Sequence, residues 1–400
     1  MTQSAWIVTL CAAALLALAQ GLRAAGGLFV APLDAATGLG LTAVSLLFAA
    51  GQLAHGLAQP ALGAIADRRG VVALVSGGAV ALAAATAWPA LSVAPAAVAL
   101  SLVLGAVASG AMGSNAVLIG EVNRRVAASR AGLAIGIVGA GGPLGHLLLG
   151  PLTQHWIETA GWPFALKASA VLMLLALPLA LALRRPPTAG VRAALPPPAD
   201  ALRDARFWTV AASFIACGFH VGFLGVHMPG VIDRCGLPAS LAGTWIAVAG
   251  AANALGSIAA GHALRRFDAG RLLASLYLVR AAGIAALLAV APTTAVLLAF
   301  ALLMGASHMA TLAPTAALIA RHHGAARLGS LLGLVMLLHQ VGSSAGIWLG
   351  GALAHRTRSD TVLWCVDIAL ALGASALAFS QRAGLRAHAA ALSEPTPART

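Results

Sequence analysis

GLRAAGGLFVAP, residues 21–32, puts one arginine, Arg23, inside an apolar run that begins near Ala5. A guanidinium keeps its charge at any ordinary pH. Within a bilayer it must face protein, water or an anion, and residues of that kind mark substrate or ion paths. At an offset of 197 the chain reads GFHVGFLGVHMP, residues 218–229, with His220 in place of Arg23 and Pro229 in place of Pro32. The chain reads as two copies of one unit arranged around these two stretches.

Other stretches repeat at the same spacing. Arg130, Gly132, Gly136, Val138 and Gly145 become Arg327, Gly329, Gly333, Val335 and Gly342, and Gly63 becomes Gly261 at an offset of 198. Parallel duplicated halves in a membrane place a substrate site at their interface, near the bilayer midplane. Composition supports the membrane reading. Of 400 residues, 60% are hydrophobic and 9% charged, against about a quarter charged in soluble domains. The net charge of +13 sits in short loops between apolar runs, which the positive-inside rule explains without nucleic acid. The four cysteines Cys11, Cys217, Cys235 and Cys365 show no metal spacing and no disulfide framework. Ala17-Leu18-Ala19 resembles a cleavage site, but no basic residue precedes Arg23 and the apolar run continues to Pro32, so the first helix reads as retained.

A helix needs about 20 apolar residues to cross the hydrocarbon. Twelve runs qualify, near 5–31, 43–64, 72–92, 96–119, 131–154, 164–183, 207–231, 239–261, 271–291, 294–319, 329–353 and 361–381. With the N-terminus in the cytoplasm, eighteen arginines fall in cytoplasmic segments and only Arg234, Arg356 and Arg358 outside, so both termini are expected inside. The segment 184–206 is rich in proline and arginine and reads as a linker. The expected organisation is an all-α membrane protein: a six-helix half over 1–183, the linker over 184–206, a second half over 207–381 and a cytoplasmic tail over 382–400.

The stretch GAIADRRG, 63–70, directly after the second span, resembles the Gly-x-x-x-Asp-Arg-x-Gly loop of the major facilitator superfamily. With twelve spans and a six-plus-six repeat, the resemblance covers residues 5–381 and implies the major facilitator fold, a monomer in the bacterial inner membrane, and alternating access. It also implies a conformational latch at Gly63, Asp67, Arg68 and Gly70. RAGLAIGIVGAG, 130–141, is similar to the monocarboxylate-porter signature of the fifth helix, with Val138 replacing an alanine. The acidic-Gly-aromatic signature of the first helix is missing, and the Asp and Arg of the animal-type eighth helix stand here as Asn253 and Ser257. The resemblance is thus to a bacterial branch, and it implies symport of a small organic anion with a proton. The rival signal is Gly142-Pro143-Leu144-Gly145, similar to part of an exporter motif, with His146 where its last glycine stands. It keeps open a proton-driven exporter of drugs or other amphipathic compounds.

Arg23 is expected to hold a carboxylate, which suits its planar fork. His220, its repeat partner, is expected to face it across the cavity and carry the coupled proton, with His227 two turns on along the same face. Asn115, His308, Thr311, His339 and Gln340 complete the expected substrate-binding set, and Gln52 and His55 are further cavity candidates. Arg280 lies mid-span beside Tyr277, and Asp367 lies in the last span; both are expected to be structural or gating residues. No nucleophile or metal constellation appears, so the chain is expected to be no enzyme, to need no cofactor and to bind no nucleic acid.

Overall fold

The computed structural model describes residues 3–184, 199–324, 327–357 and 359–393, without the side chains at positions 3, 4, 67, 128, 129, 199 and 382–393. Most of the linker, the end of the tail and the Asp67 side chain lie outside the described residues. Within them, twelve helices are long and apolar enough to cross a membrane. Spans 1–6 are Ala5–Thr37, Leu41–Ala66, Val71–Ala90, Pro95–Asn123, Arg130–Ala160 and Trp162–Leu181. Spans 7–12 are Ala205–Arg234, Ser240–Ala263, Ala269–Ala289, Thr294–His323, Leu328–Thr357 and Thr361–Gln381. No strand occurs among the described residues.

Span 1 runs six residues past its expected end because Pro32 falls in the first turn of the helix Val30–Thr37, where a missing N–H costs no bond. A short 3₁₀ turn, Gly26–Phe29, joins the two parts. The resemblance motif after span 2 is not a loop: that helix continues to Arg69, and the chain turns on Gly70 alone, at φ 86°. Spans 4 and 10 both break, at Ser114 and at Met309–Thr311. Ser114 and Thr311 are again 197 apart.

The packing follows the repeat. Span 1 lies on span 5 and span 2 on span 4, as span 7 lies on span 11 and span 8 on span 10. The halves meet where span 5 crosses span 8 and span 2 crosses span 11. The crossings within each half need glycine. A Cβ on Gly145 would collide with the carbonyl of Ala17, and one on Gly342 with that of Ile215.

The two sides of the bundle differ. Away from the termini the halves touch: Gly150 sits against Ile246, Gly243 against Pro151 and Gln154, Gly27 against Gly225 and Val226, and Gly351 against Ser45. Toward the terminal side the same faces part. A Cβ built on Gly63, Gly132, Gly136, Gly139, Gly261, Gly329 or Gly333 would meet nothing within 4 Å. The cleft between the halves therefore opens to the side that carries both ends of the chain.

Ion pairs fix helix ends on that side. Asp268 caps span 9 by accepting from the backbone N–H of Gly270 and Arg271, at 3.0 and 3.2 Å, and accepts from Arg321 of span 10 at 2.9 Å. Partial burial pushes its carboxyl up, but Arg321 and the two N–H groups outweigh this and hold it below the ordinary carboxylate range. A depressed folded value stabilises the protein above the unfolded value, near 4, and that stability is lost as pH falls through the folded value. Asp268→Ala should therefore cost about 1 kcal/mol at pH 7, mainly as a lost cap. The gap in melting temperature between variant and parent should narrow on acidification below about pH 4; a constant gap would remove the carboxylate from this role.

Candidate functional site

Arg23 lies half-buried on span 1, one turn before its 3₁₀ break. Its Nη1 donates to Nε2 of His55 and its Nη2 to Oε1 of Gln52, both at 2.6 Å. His55 donates from Nδ1 to the carbonyl of Ala106 at 2.9 Å, which leaves Nε2 as a bare lone pair fit to accept from a guanidinium. Gln59 donates to the same Nε2 at 3.3 Å, and Ser114, at the break of span 4, donates to Gln59 Oε1 at 2.9 Å. Gln52 donates onward to Oε1 of Gln340 in span 11, at 2.7 Å. Gln340 packs over Gly56, where a Cβ would meet its stem at 2.7 Å.

Two features of this cluster matter. Among the described residues no carboxylate pairs with Arg23, so its charge is held by neutral groups and stays free to attract an anion. The cluster also reaches both halves, since Arg23, Gln52 and His55 come from the first and Gln340 from the second.

His220 departs from expectation. It does not face Arg23 across the cleft but turns into its own half, where it is 4% exposed. Its Nδ1 lies 2.6 Å from Oδ2 of Asp367, itself 1% exposed, and its Nε2 lies 3.1 Å from the sulfur of Met304. The cause is the inner partner. Span 12 supplies Asp367, whereas the repeat-equivalent position 170 in span 6 is alanine. The second half therefore draws its polar group inward, and the first half leaves Arg23 facing the cleft.

His227 is also buried, not cavity-facing. It donates from Nε2 to the carbonyl of Ile347 at 2.7 Å and stacks on Phe223, serving the crossing of spans 7 and 11. Thr311 is 1% exposed and donates to the carbonyl of His308 at 2.8 Å, so it closes the break of span 10 and is withdrawn from the cleft. Asn115 is exposed at the start of the second helix of span 4. His308 and His339 are half-buried, and the His339 ring lies 4.9 Å from that of Phe214.

Arg280 is fully buried. It donates to the Ser307 hydroxyl at 3.1 Å, to the Cys217 sulfur at 3.2 Å, and to the carbonyls of Ser307 and His308 at the break of span 10. Its guanidinium also lies over the ring of Tyr277. Asn253 holds the same break by accepting from the backbone N–H of Met309 at 3.0 Å. Of the latch residues, Gly63 makes no close approach in this conformation, Arg68 is exposed and Gly70 supplies the turn.

Gln59 and Glu121 were not singled out in the sequence, and His146 was noted only for its place in the exporter-like motif. Gln59 follows His55 by one helical turn, a spacing that puts both on one face. Glu121, fully buried, pairs with Arg124 and Arg125 at 2.9 Å each, and Arg125 donates to the carbonyls of Leu183 and Arg184 to cap span 6; the run EVNRR signals that pairing. His146 is half-buried on span 5, against Gly250 of the other half. Among the described residues no three His, Cys, Asp or Glu side chains gather where they could hold a metal ion.

The family model described as Major Facilitator Superfamily matches residues 6–347. No curated protein matches the chain in sequence. Among solved structures it is similar to a bacterial homologue of the human lysosomal transporter Spinster, in an inward-facing and unoccupied conformation, at 15% identity and a TM-score of 0.68, covering 98% of this chain and 96% of that one. It is similar also to the nucleoside transporter NupG, at 14% identity and a TM-score of 0.75, covering 96% of this chain and 100% of that one. At such identities the likeness is one of fold.

Proposed function

The chain belongs to the major facilitator superfamily and is a transporter, not an enzyme, and from that premise we propose that it carries a small organic anion of monocarboxylate type together with a proton. The observation that carries this reading is Arg23: a guanidinium at the cleft, held by His55 and Gln52 and without a carboxylate partner among the described residues. With both termini in the cytoplasm, the conformation described is inward-facing and the protein is a multi-pass component of the bacterial inner membrane, acting as a monomer. A thermal-shift series on the purified protein tests the substrate class. Acetate, lactate or pyruvate should raise the melting temperature, and at a hundredfold excess over Kd a ligand adds about 2.7 kcal/mol. Stabilisation by cationic drugs alone would turn the reading to the exporter.

The proton is assigned to His220 acting with Asp367. A thioether sulfur only accepts, so the approach of Met304 calls for a hydrogen on Nε2. A second proton lies between Nδ1 and Oδ2. With both hydrogens in place the pair is neutral as a unit. That suits its burial, since Oδ1 of Asp367 has no hydrogen-bond partner and a bare charge there would be costly. Anion uptake should rise as the outer pH falls, and His220→Gln or Asp367→Asn should flatten that slope while leaving binding at Arg23. A slope unchanged in both variants would remove the pair from coupling.

The latch stays part of the proposal. Asp67→Asn is expected to lower transport at unaltered protein level, because the motif biases one conformation and not the fold. Equal rates at equal expression would dismiss it.

A further inference from the structure

The cluster around Arg23 has a direction that its chemistry imposes. Arginine has donors only, so the atom of Gln52 that it touches must be the carbonyl oxygen. Gln52 therefore turns its NH₂ group away, toward Gln340, and Gln340 must meet it with its own carbonyl oxygen. One group is then left over: the NH₂ of Gln340, on a half-exposed side chain, for which no hydrogen-bond partner occurs among the described residues. On the other branch His55 is fixed as an acceptor toward Arg23 and a donor to Ala106, so it offers nothing to a ligand. The free donors that the cluster has left to offer from its two ends are N–H groups of Arg23 in one half and of Gln340 in the other, beside the second lone pairs of the Gln52 and Gln340 oxygens. The Gln52–Gln340 bond is also the one hydrogen bond between the halves among the described residues.

We propose that Gln52 is a positioning residue: by accepting from Arg23 it orients the amide of Gln340, so that one carboxylate is held by Arg23 from the first half and by the Gln340 NH₂ from the second. The inference rests on the anion reading and names the chemistry that reading lacked. The ligand needs two acceptor oxygens near one carbon, and a carboxylate is favoured over a ligand that presents donors because the guanidinium of Arg23 only donates. Binding then ties the two halves through the substrate itself, beside the bond they already share.

The test is the affinity of pyruvate for the purified full chain, measured by calorimetry and by thermal shift. Gln340→Leu removes the second donor and should weaken binding about tenfold. Gln52→Leu leaves both ligand-facing groups in place but frees the Gln340 amide to turn, and should weaken binding by a similar factor. The double variant should be little worse than either single one, because both act through one donor. A loss in the double variant equal to the product of the two, or no loss in Gln52→Leu, overturns the inference and leaves the anion reading standing. Gln52→Glu supplies a readout that a merely structural role would not move. The introduced carboxylate accepts from both neighbours and forces the Gln340 carbonyl toward the cleft, so preference should shift from acetate toward acetamide; an unshifted ratio counts against the inference. If Gln52→Leu fails to fold, Gln52→Met keeps the length without the oxygen. A parent protein that binds neither pyruvate, acetate nor lactate overturns the anion reading, and this inference with it.

Discussion

Arg23→Ala should all but abolish organic-anion transport, with a loss of at least about thirtyfold, since removing one partner of a desolvated, hydrogen-bonded charge pair costs about 2 kcal/mol and upward. The fold should survive. His55 keeps its bonds to Ala106 and Gln59, and Gln52 keeps its bond to Gln340, so no buried donor is orphaned by the deletion. Arg23→Lys separates charge from shape. An ammonium keeps the point charge but cannot reach His55, Gln52 and a carboxylate from one plane, so weak binding should remain. Uptake of a labelled carboxylate into vesicles, at matched protein level and matched melting temperature, decides the matter. Undiminished uptake by the alanine variant would remove Arg23 from the site.

Two valine substitutions nine residues apart on span 11 should fail in opposite ways. Gly342 lies where spans 7 and 11 cross, and a Cβ there would strike the carbonyl of Ile215. Backbone cannot step aside as a side chain can, so Gly342→Val should cost more than the usual ~1–3 kcal/mol of an overpacked core and leave little folded protein. Gly333 faces the open cleft with nothing within 4 Å. Gly333→Val should fold and melt like the parent, yet transport poorly, because that face must close on the opposite half when the cleft opens to the other side. Size-exclusion profiles and melting curves read the first effect, and transport at equal folded protein reads the second. A fully active Gly333→Val would mean that this face never closes; a well-folded Gly342→Val would mean that the crossing is looser than described.

The fold was legible because it is written twice. An offset of 197 relates Gly145 to Gly342 and Ser114 to Thr311, and in each case the structure gives both members the same place in their halves. The same offset misled where a side chain takes its direction from a third helix. Arg23 and His220 are equivalent along the backbone, but only His220 has an inner carboxylate, because position 367 is aspartate and position 170 is alanine. A repeat fixes where a Cα lies and not which neighbour a side chain prefers. The bond between Gln52 and Gln340 spans 288 residues, and neither flanking sequence marks it. Glu121 was passed over for a different reason: a carboxylate at the end of a span looks like an ordinary solvated group until two arginines and full burial are seen together.

The glycine surfaces between the halves carry a consequence for how such a protein changes its job. Where the rims are shut, each contact has a glycine on at least one side, and where they are open, glycines again line the parted faces. When two states are nearly level, small increments move the balance between them. A buried methylene is worth about 0.8 kcal/mol, roughly a fourfold change in occupancy. One or two methyl groups gained at either rim over evolutionary time would therefore be enough to shift the resting population from one side of the membrane to the other, and the rate and apparent affinity on each side could drift between lineages without any change to the residues that bind the cargo, while the gradients go on setting the direction of net flux.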